Sequence, residues 1–255
     1  MFVSGLKILC GVLICPLSVA GHWVELSIPG PDVDSSANGP THLVDATGRG
    51  IEIAFVSSAN NLIYNDTNTR ADIFVRNTVT RNTELVDIQP VLDAIDHMKM
   101  SRPPDPHCRN IYGTKTTPVA PYTFRRIEIS SNGRWVAASG TFDRACPFDS
   151  SIILVDRETG ASWHVTQAPH GQHQMGTSTL AGVSNLGEVL FSSTANNLVD
   201  DDSGLVDTFV FDPVASSTRR VIWPLALDDQ NLHRYAETSS PDGRYWLLRS
   251  RNEDP

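Results

Sequence analysis

The chain has 255 residues, of which 40% are hydrophobic, 7% aromatic and 19% charged, and its formal net charge is −9. That is long enough for a sizeable single core. An acidic chain whose Lys and Arg residues form no cluster argues against nucleic acid or an anionic membrane surface as a partner.

The first twenty residues read as a secretory leader. Lys7 supplies the positive start, Ile8 to Val19 is apolar apart from Gly11, Pro16 and Ser18, and Ser18-Val19-Ala20 offers small residues before a cut at Gly21. The stretch is too short and too broken by Pro16 to span a bilayer, and no other apolar run approaches transmembrane length. The expected chain is therefore 1–20 leader and 21–255 folded domain, periplasmic or secreted, one negative charge richer once Lys7 leaves. Cys10 and Cys15 leave too, so Cys108 and Cys146 remain as two thiols in an oxidising compartment. One disulfide is the simplest arithmetic. No zinc-ligand spacing competes with it.

Phe55-Val56-Ser57-Ser58-Ala59-Asn60-Asn61-Leu62, followed by Ala71-Asp72-Ile73-Phe74-Val75, returns as Phe191-Ser192-Ser193-Thr194-Ala195-Asn196-Asn197-Leu198, followed by Val206-Asp207-Thr208-Phe209-Val210. This is an internal repeat, and a repeat decides the fold before anything else. Each unit reads as four strands. First strands are expected over 125–131, 177–184 and 234–240. Second strands follow over 50–58, 134–141, 188–194 and 244–250, behind the turns Ser131-Asn132-Gly133-Arg134, Ser184-Asn185-Leu186-Gly187 and Pro241-Asp242-Gly243-Arg244. Asn-Gly and Asp-Gly supply the positive φ of tight hairpins. Third strands are expected over 72–79, 151–157 and 207–214, and short fourth strands over 83–88, 162–167 and 218–223.

Gly133, Gly187 and Gly243 recur at about 55 residues, the spacing of tandem four-stranded units. The expected fold is all-β, a β-propeller of four-stranded blades. Such a unit cannot bury both faces of a small sheet alone and must pack against its neighbours. The longer gap between Gly50 and Gly133 holds an insertion over about 89–121. Its Val91, Leu92, Ile95 and Met98 have helical spacing behind Pro90, a residue suited to a first helical turn. Cys108 would tie this insertion to Cys146. His22 to Ile28 reads as a strand with no blade before it, suited to closing the last blade. That last blade has only two expected strands before Pro255, so the propeller is expected to be incomplete, with about three blades and part of a fourth.

A turn with Asp/Asn-Gly-Arg, then Phe-x-Ser-Ser-x-Asn-Asn-Leu, an acidic loop and Asp-x-Phe-Val resembles the TolB-like (WD-like) propeller repeats of secreted bacterial proteins. The resemblance runs from Trp23 to Ser250, strongest around Phe55 and Phe191. It implies a six-bladed ring in full-length members and an exported binding scaffold whose partner is a protein or an extracellular ligand. No counterpart of TolB's separate N-terminal domain is seen.

Calcium is the one cofactor the residues suggest. Asn65-Asp66-Thr67-Asn68 with Asp72, and Asp200-Asp201-Asp202 with Asp207, gather oxygen ligands, although Asp and Asn also serve loop backbone and the distal Glu of a helix-loop-helix calcium site is absent. Asn60-Asn61 and Asn196-Asn197 read as structural. His170-Gly171-Gln172-His173 offers two imidazoles without a third ligand and reads as a solvated connector. Arg125-Arg126 and Arg219-Arg220 read as solvated strand ends. No Gly-x-Ser-x-Gly occurs, and no catalytic residue is singled out. Trp135, Trp163, Trp223 and Trp246 fall in expected strands, where packing explains them. The expected function is a non-catalytic scaffold. A propeller-type lyase or hydrolase, and a fragment of a longer propeller protein, stand as alternatives.

Overall fold

The structure is a computed structural model that describes residues 12–15, 22–25, 37–64, 66, 68, 70–100, 122–142, 150–169, 174–200, 205–222 and 232–252. It divides into two compact units, Met1–Val86 and Asp87–Pro255. Cys108 and Cys146 of the expected disulfide, His170–His173 and Trp223 lie outside the described residues.

In the first unit, β1 (Val12–Cys15) and β2 (His22–Glu25) form a two-stranded antiparallel sheet. His22 to Ile28 was expected to close the last blade. Instead its first half pairs with its near neighbour in sequence, the commoner outcome for consecutive strands. The partner strand falls inside the expected leader. β3 (Thr41–Ala46), β4 (Glu52–Ser57), β5 (Asp72–Asn77) and β6 (Thr83–Val86) then form a four-stranded meander in chain order. β3 was not foreseen. Its inner residues do not alternate cleanly, because Leu43 sits at a bulge with φ 54°.

The second unit opens with α1 (Gln89–Met100), the expected helix of the insertion. Asp87 Oδ1 accepts the Gln89 amide at 2.9 Å, an N-terminal cap, and Pro90 occupies the first turn as anticipated. Val91, Leu92 and Ile95 are buried. Next come β7 (Thr123–Ile129), β8 (Trp135–Thr141), β9 (Ser151–Asp156) and β10 (Ser162–His164), a second four-stranded meander. The third is β11 (Ser178–Val183), β12 (Val189–Ser193), β13 (Asp207–Asp212) and β14 (Ser217–Arg220). β15 (Leu232–Ser239) and β16 (Trp246–Asn252) form a final two-stranded sheet. Three four-stranded blades and the first half of a fourth match the expectation of an incomplete propeller among the described residues.

The repeated text has a structural cause at almost every letter. Phe55 faces Phe74 across β4 and β5, with ring centroids 5.7 Å apart, and Phe191 faces Phe209 across β12 and β13 at 5.5 Å. All four rings are fully buried. Ser57 Oγ accepts the Ala59 amide at 3.1 Å and donates to the Pro40 carbonyl at 3.2 Å. Ser193 repeats both bonds, to the Ala195 amide at 3.0 Å and the Thr177 carbonyl at 3.2 Å. Asn61 Oδ1 accepts the Asn38 amide at 3.1 Å, and Asn197 Oδ1 accepts the Met175 amide at 2.9 Å. Asn61 and Asn197 thus hold the entry to these two blades, a structural duty.

The hairpin turns also repeat. Gly133 and Gly243 donate to the carbonyls of Ser130 and Ser240, whose hydroxyls accept the amides of Trp135 and Tyr245. Gly133, Gly187 and Gly243 have φ of 78°, 83° and 71°, the region anticipated for them. One recurring device was invisible beforehand. In all four blades the first and second strands shift register at one point, at Leu43, Arg125, Ala181 and Glu237. Such a bulge sharpens the local twist.

Within the second unit the blades pack face to face. Trp135, Ala137, Ile152 and Leu154 of one blade meet Leu180, Phe191 and Phe209 of the next in a continuous buried cluster. Ala181, Leu190 and Val210 on the opposite face meet Ala236, Trp246 and Leu248 of the last sheet. The first unit has its own cluster around Phe55, Leu62 and Phe74.

Candidate functional site

Among the described residues two places offer chemistry that the core does not use. The first is a groove of about 900 Å³ in the second unit. Pro90, Val91 and Ala94 of α1 form one wall, the turn Ser216-Ser217 with Thr218 the other, and β10 runs along it. β10 is the edge strand of its sheet. Its bonds to β9 fall at Ala161 and Val165, through Asp156 N–H to Ala161 O and Val165 N–H to Ile152 O. By the alternation of an antiparallel ladder, the backbone groups of Ser162 point the other way, toward the outer edge of the sheet. The His164 carbonyl accepts the Gln167 amide at 3.2 Å, and the Ser162 amide and carbonyl are directed outward.

Trp163 lines this groove and packs on Trp135, with centroids 5.9 Å apart. Trp135 is 6% exposed, and Arg134 lies over its ring at 4.9 Å. Trp246 belongs to the packing of the last sheet, with Arg219 over its ring at 5.1 Å. Among the described residues Trp135, Trp163 and Trp246 pack as expected, and Trp163 also lines the groove.

The second place is the loop between β4 and β5 in the first unit. Asp66 is only 8% exposed, and neither of its carboxylate oxygens reaches solvent or a hydrogen-bond partner. The Asn68 amide is near enough to lower its pKa, without hydrogen-bond geometry to either oxygen, but burial outweighs this and pushes the carboxyl up. Asp72 opens β5 opposite Ser57. Its Oδ2 is likewise buried without a partner. Burial raises the Asp72 pKa, the Asn68 side chain and the Arg70 charge lower it, and the neighbouring Asp66 charge raises it further.

The second acidic loop behaves differently. Asp207, the repeat counterpart of Asp72, is 1% exposed, and its oxygens meet Arg234 at 3.3 Å and Arg220 at 3.4 Å. This overturns two expectations. Asp207 is committed to arginines and is not a free cation ligand. Arg220 is not merely a solvated strand end, because its guanidinium pairs with the buried Asp207 carboxylate. Arg126 likewise bonds the Glu128 carboxylate at 2.6 Å and the Ala181 carbonyl of the adjoining blade at 3.3 Å. Asp201 and Asp202 lie outside the described residues.

Another buried carboxylate is structural. Asp156, 2% exposed, receives a two-pronged bond from Arg134 at 2.9 and 2.7 Å, and the Thr159 hydroxyl at 2.9 Å. The Arg134 guanidinium holds its carboxyl below the usual range despite burial. Among the described residues no three His, Cys, Asp or Glu side chains converge, and no helix is long and apolar enough to cross a membrane.

No protein-family model matches this sequence, and no curated protein matches it. Solved structures are similar to it at low identity. TolB from Acinetobacter baumannii is 13% identical over 86% of this chain and 42% of its own, with a TM-score of 0.39. A TolB-type structure from Agrobacterium tumefaciens is 14% identical over 96% of this chain and 65% of its own, at 0.49. The β-propeller domain of the Trilobed protease from Pyrococcus furiosus is 11% identical over 86% and 56%, at 0.41. The chain therefore spans less than two thirds of the length of each. Its own strand order and repeated register are those of β-propeller blades, and TolB structures are among those it is similar to.

Proposed function

We propose that the protein is an exported, non-catalytic binding scaffold that receives an extended protein segment in the groove beside β10. The observation that carries this reading is the outward-facing backbone of Ser162 on the edge strand β10, beside the groove. An unpaired sheet edge is a template for an added strand, whose main-chain bonds give affinity while flanking pockets choose side chains. The α1 wall and the Trp163 ring supply an apolar flank, and Ser217 and Thr218 a polar one. A volume of this size suits several side chains of a peptide.

Panning the full chain against a phage-displayed library of random heptapeptides tests the reading. Enriched peptides are synthesised and titrated by tryptophan fluorescence. Ser162→Pro removes an outward amide without touching the β9 ladder, and an edge strand tolerates proline. It is expected to weaken the enriched peptides at least tenfold while leaving the circular dichroism spectrum unchanged. Absence of enrichment, or equal binding by the variant, overturns the groove as the site. Mass spectrometry of the incubated peptides is expected to show them intact, and cleavage would overturn the non-catalytic reading.

A further inference from the structure

We propose that the loop between β4 and β5 binds a hard divalent cation of the calcium class through the carboxylates of Asp66 and Asp72.

The argument rests on buried carboxylate oxygens: the Asn68 side chain and the Arg70 charge act on Asp72, yet three oxygens of the two acids stay without a hydrogen bond. Both Asp66 oxygens and one Asp72 oxygen lie in the protein interior without a hydrogen bond. A carboxylate withdrawn from water without a partner is costly, and buried charges in folded proteins are paired, neutralised or bound to metal. The molecule contains its own control. Asp207 occupies the same repeat position in the third four-stranded sheet, and there two guanidinium groups compensate it. The partner from β14 is Arg220, paired across the sheet with Phe209. At the corresponding place on β6, opposite Phe74, stands Leu85. The repeat has thus kept the acid in both copies and lost the cross-strand arginine in one.

The ligand chemistry fits a hard ion. Calcium takes 6–8 oxygens and accepts carboxylates, amide carbonyls, backbone carbonyls and water in a flexible arrangement. Asp66 and Asp72 supply carboxylates, and Asn68, between them in the loop, carries an amide oxygen that already accepts the Arg70 amide at 2.7 Å. That bond leaves the second lone pair of the oxygen. The loop sequence from Ser58 to Ala71 contains no His or Cys, which disfavours zinc and softer metals.

The test is isothermal titration of calcium into the full, chelator-treated chain, with thermal unfolding alongside. Wild type is expected to bind one ion at this loop and to unfold several degrees higher with millimolar calcium. Asp66→Asn and Asp72→Asn, each neutral and nearly isosteric, are expected to weaken binding at least tenfold. Both remove a buried charge and so are expected to leave the calcium-free midpoint unchanged or raised, a result that also shows the variants fold. Asp207→Asn is expected to lower the midpoint while retaining calcium binding. No heat of binding and no shift with wild type, or binding that survives both loop variants, would overturn the proposal and leave protonation as the way these acids are neutralised.

Discussion

The stacked pair Phe191 and Phe209 offers the sharpest test of the blade core. Both rings are fully buried, face each other across β12 and β13, and lie 5.5 Å apart at 22°. Truncating Phe191 to alanine loses its transfer free energy and leaves a cavity, together about 3–5 kcal/mol. Phe209→Leu keeps most of the volume and costs about 1–1.5 kcal/mol, much of it the ring contact. In a double-mutant cycle the pair should couple by about 0.5–1.5 kcal/mol. Urea unfolding followed by tryptophan fluorescence is suitable, because Trp135 and Trp163 pack in the same cluster. The Phe55 and Phe74 pair, at 5.7 Å and 24°, is the same geometry in the other copy and should give a coupling equal within about 0.5 kcal/mol. A Phe191→Ala cost below about 1 kcal/mol would refute the packing argument, since full burial cannot be that cheap. Unequal couplings would refute the claim that the repeated letters do the same work.

Three further outcomes are expected. Asp156 has a lowered folded-state pKa, so its contribution is fully present above the unfolded value near about 4 and disappears as pH falls through the folded one. Asp156→Asn should therefore cost about 1.5–3 kcal/mol at pH 7 and flatten the acid limb of the urea midpoint, and an unchanged limb would count against it. A Cβ on Gly187 would meet the Trp135 ring at 2.7 Å with φ +83°, whereas one on Gly160 at φ +74° meets nothing within 4 Å. Gly187→Ala should thus cost about 1–3 kcal/mol more than Gly160→Ala, and equal costs would mean the ring moves aside freely. Intact-mass and peptide mapping of the exported chain should give a start at Gly21 and a peptide joined through Cys108 and Cys146. A retained Met1, or two alkylatable thiols, would remove the leader or the disulfide from the account.

The sequence revealed what repeats. Strands, turns and the α1 helix were legible because each rests on local chemistry: β-branched runs, Asn-Gly or Asp-Gly, and apolar spacing behind Pro90. β3 escaped because the bulge at Leu43 disturbs the alternation by which a strand is recognised. The groove was hidden for a different reason. Its walls come from residues around 90, 163 and 217, which only tertiary packing brings together. The acidic loops were noticed, yet their difference was not, since it depends on whether Leu85 or Arg220 stands across the sheet. Arg219-Arg220 likewise resembles any exposed basic pair until Asp207 is placed beneath it.

The arginines on Asp207 have a consequence for assembly. Chains with near-identical repeats risk joining the wrong neighbours as they fold. Arg234 comes from the final hairpin, whose backbone also bonds Val206, Thr208 and Ser192 of the preceding sheet. Docked instead on the sheet that holds Asp72, the same hairpin would meet Leu85 in place of Arg220, and the charge balance between one acid and two bases would be broken. On this reasoning the ion cluster would act as an address label. It would tell otherwise similar repeats apart and send the last hairpin to one destination.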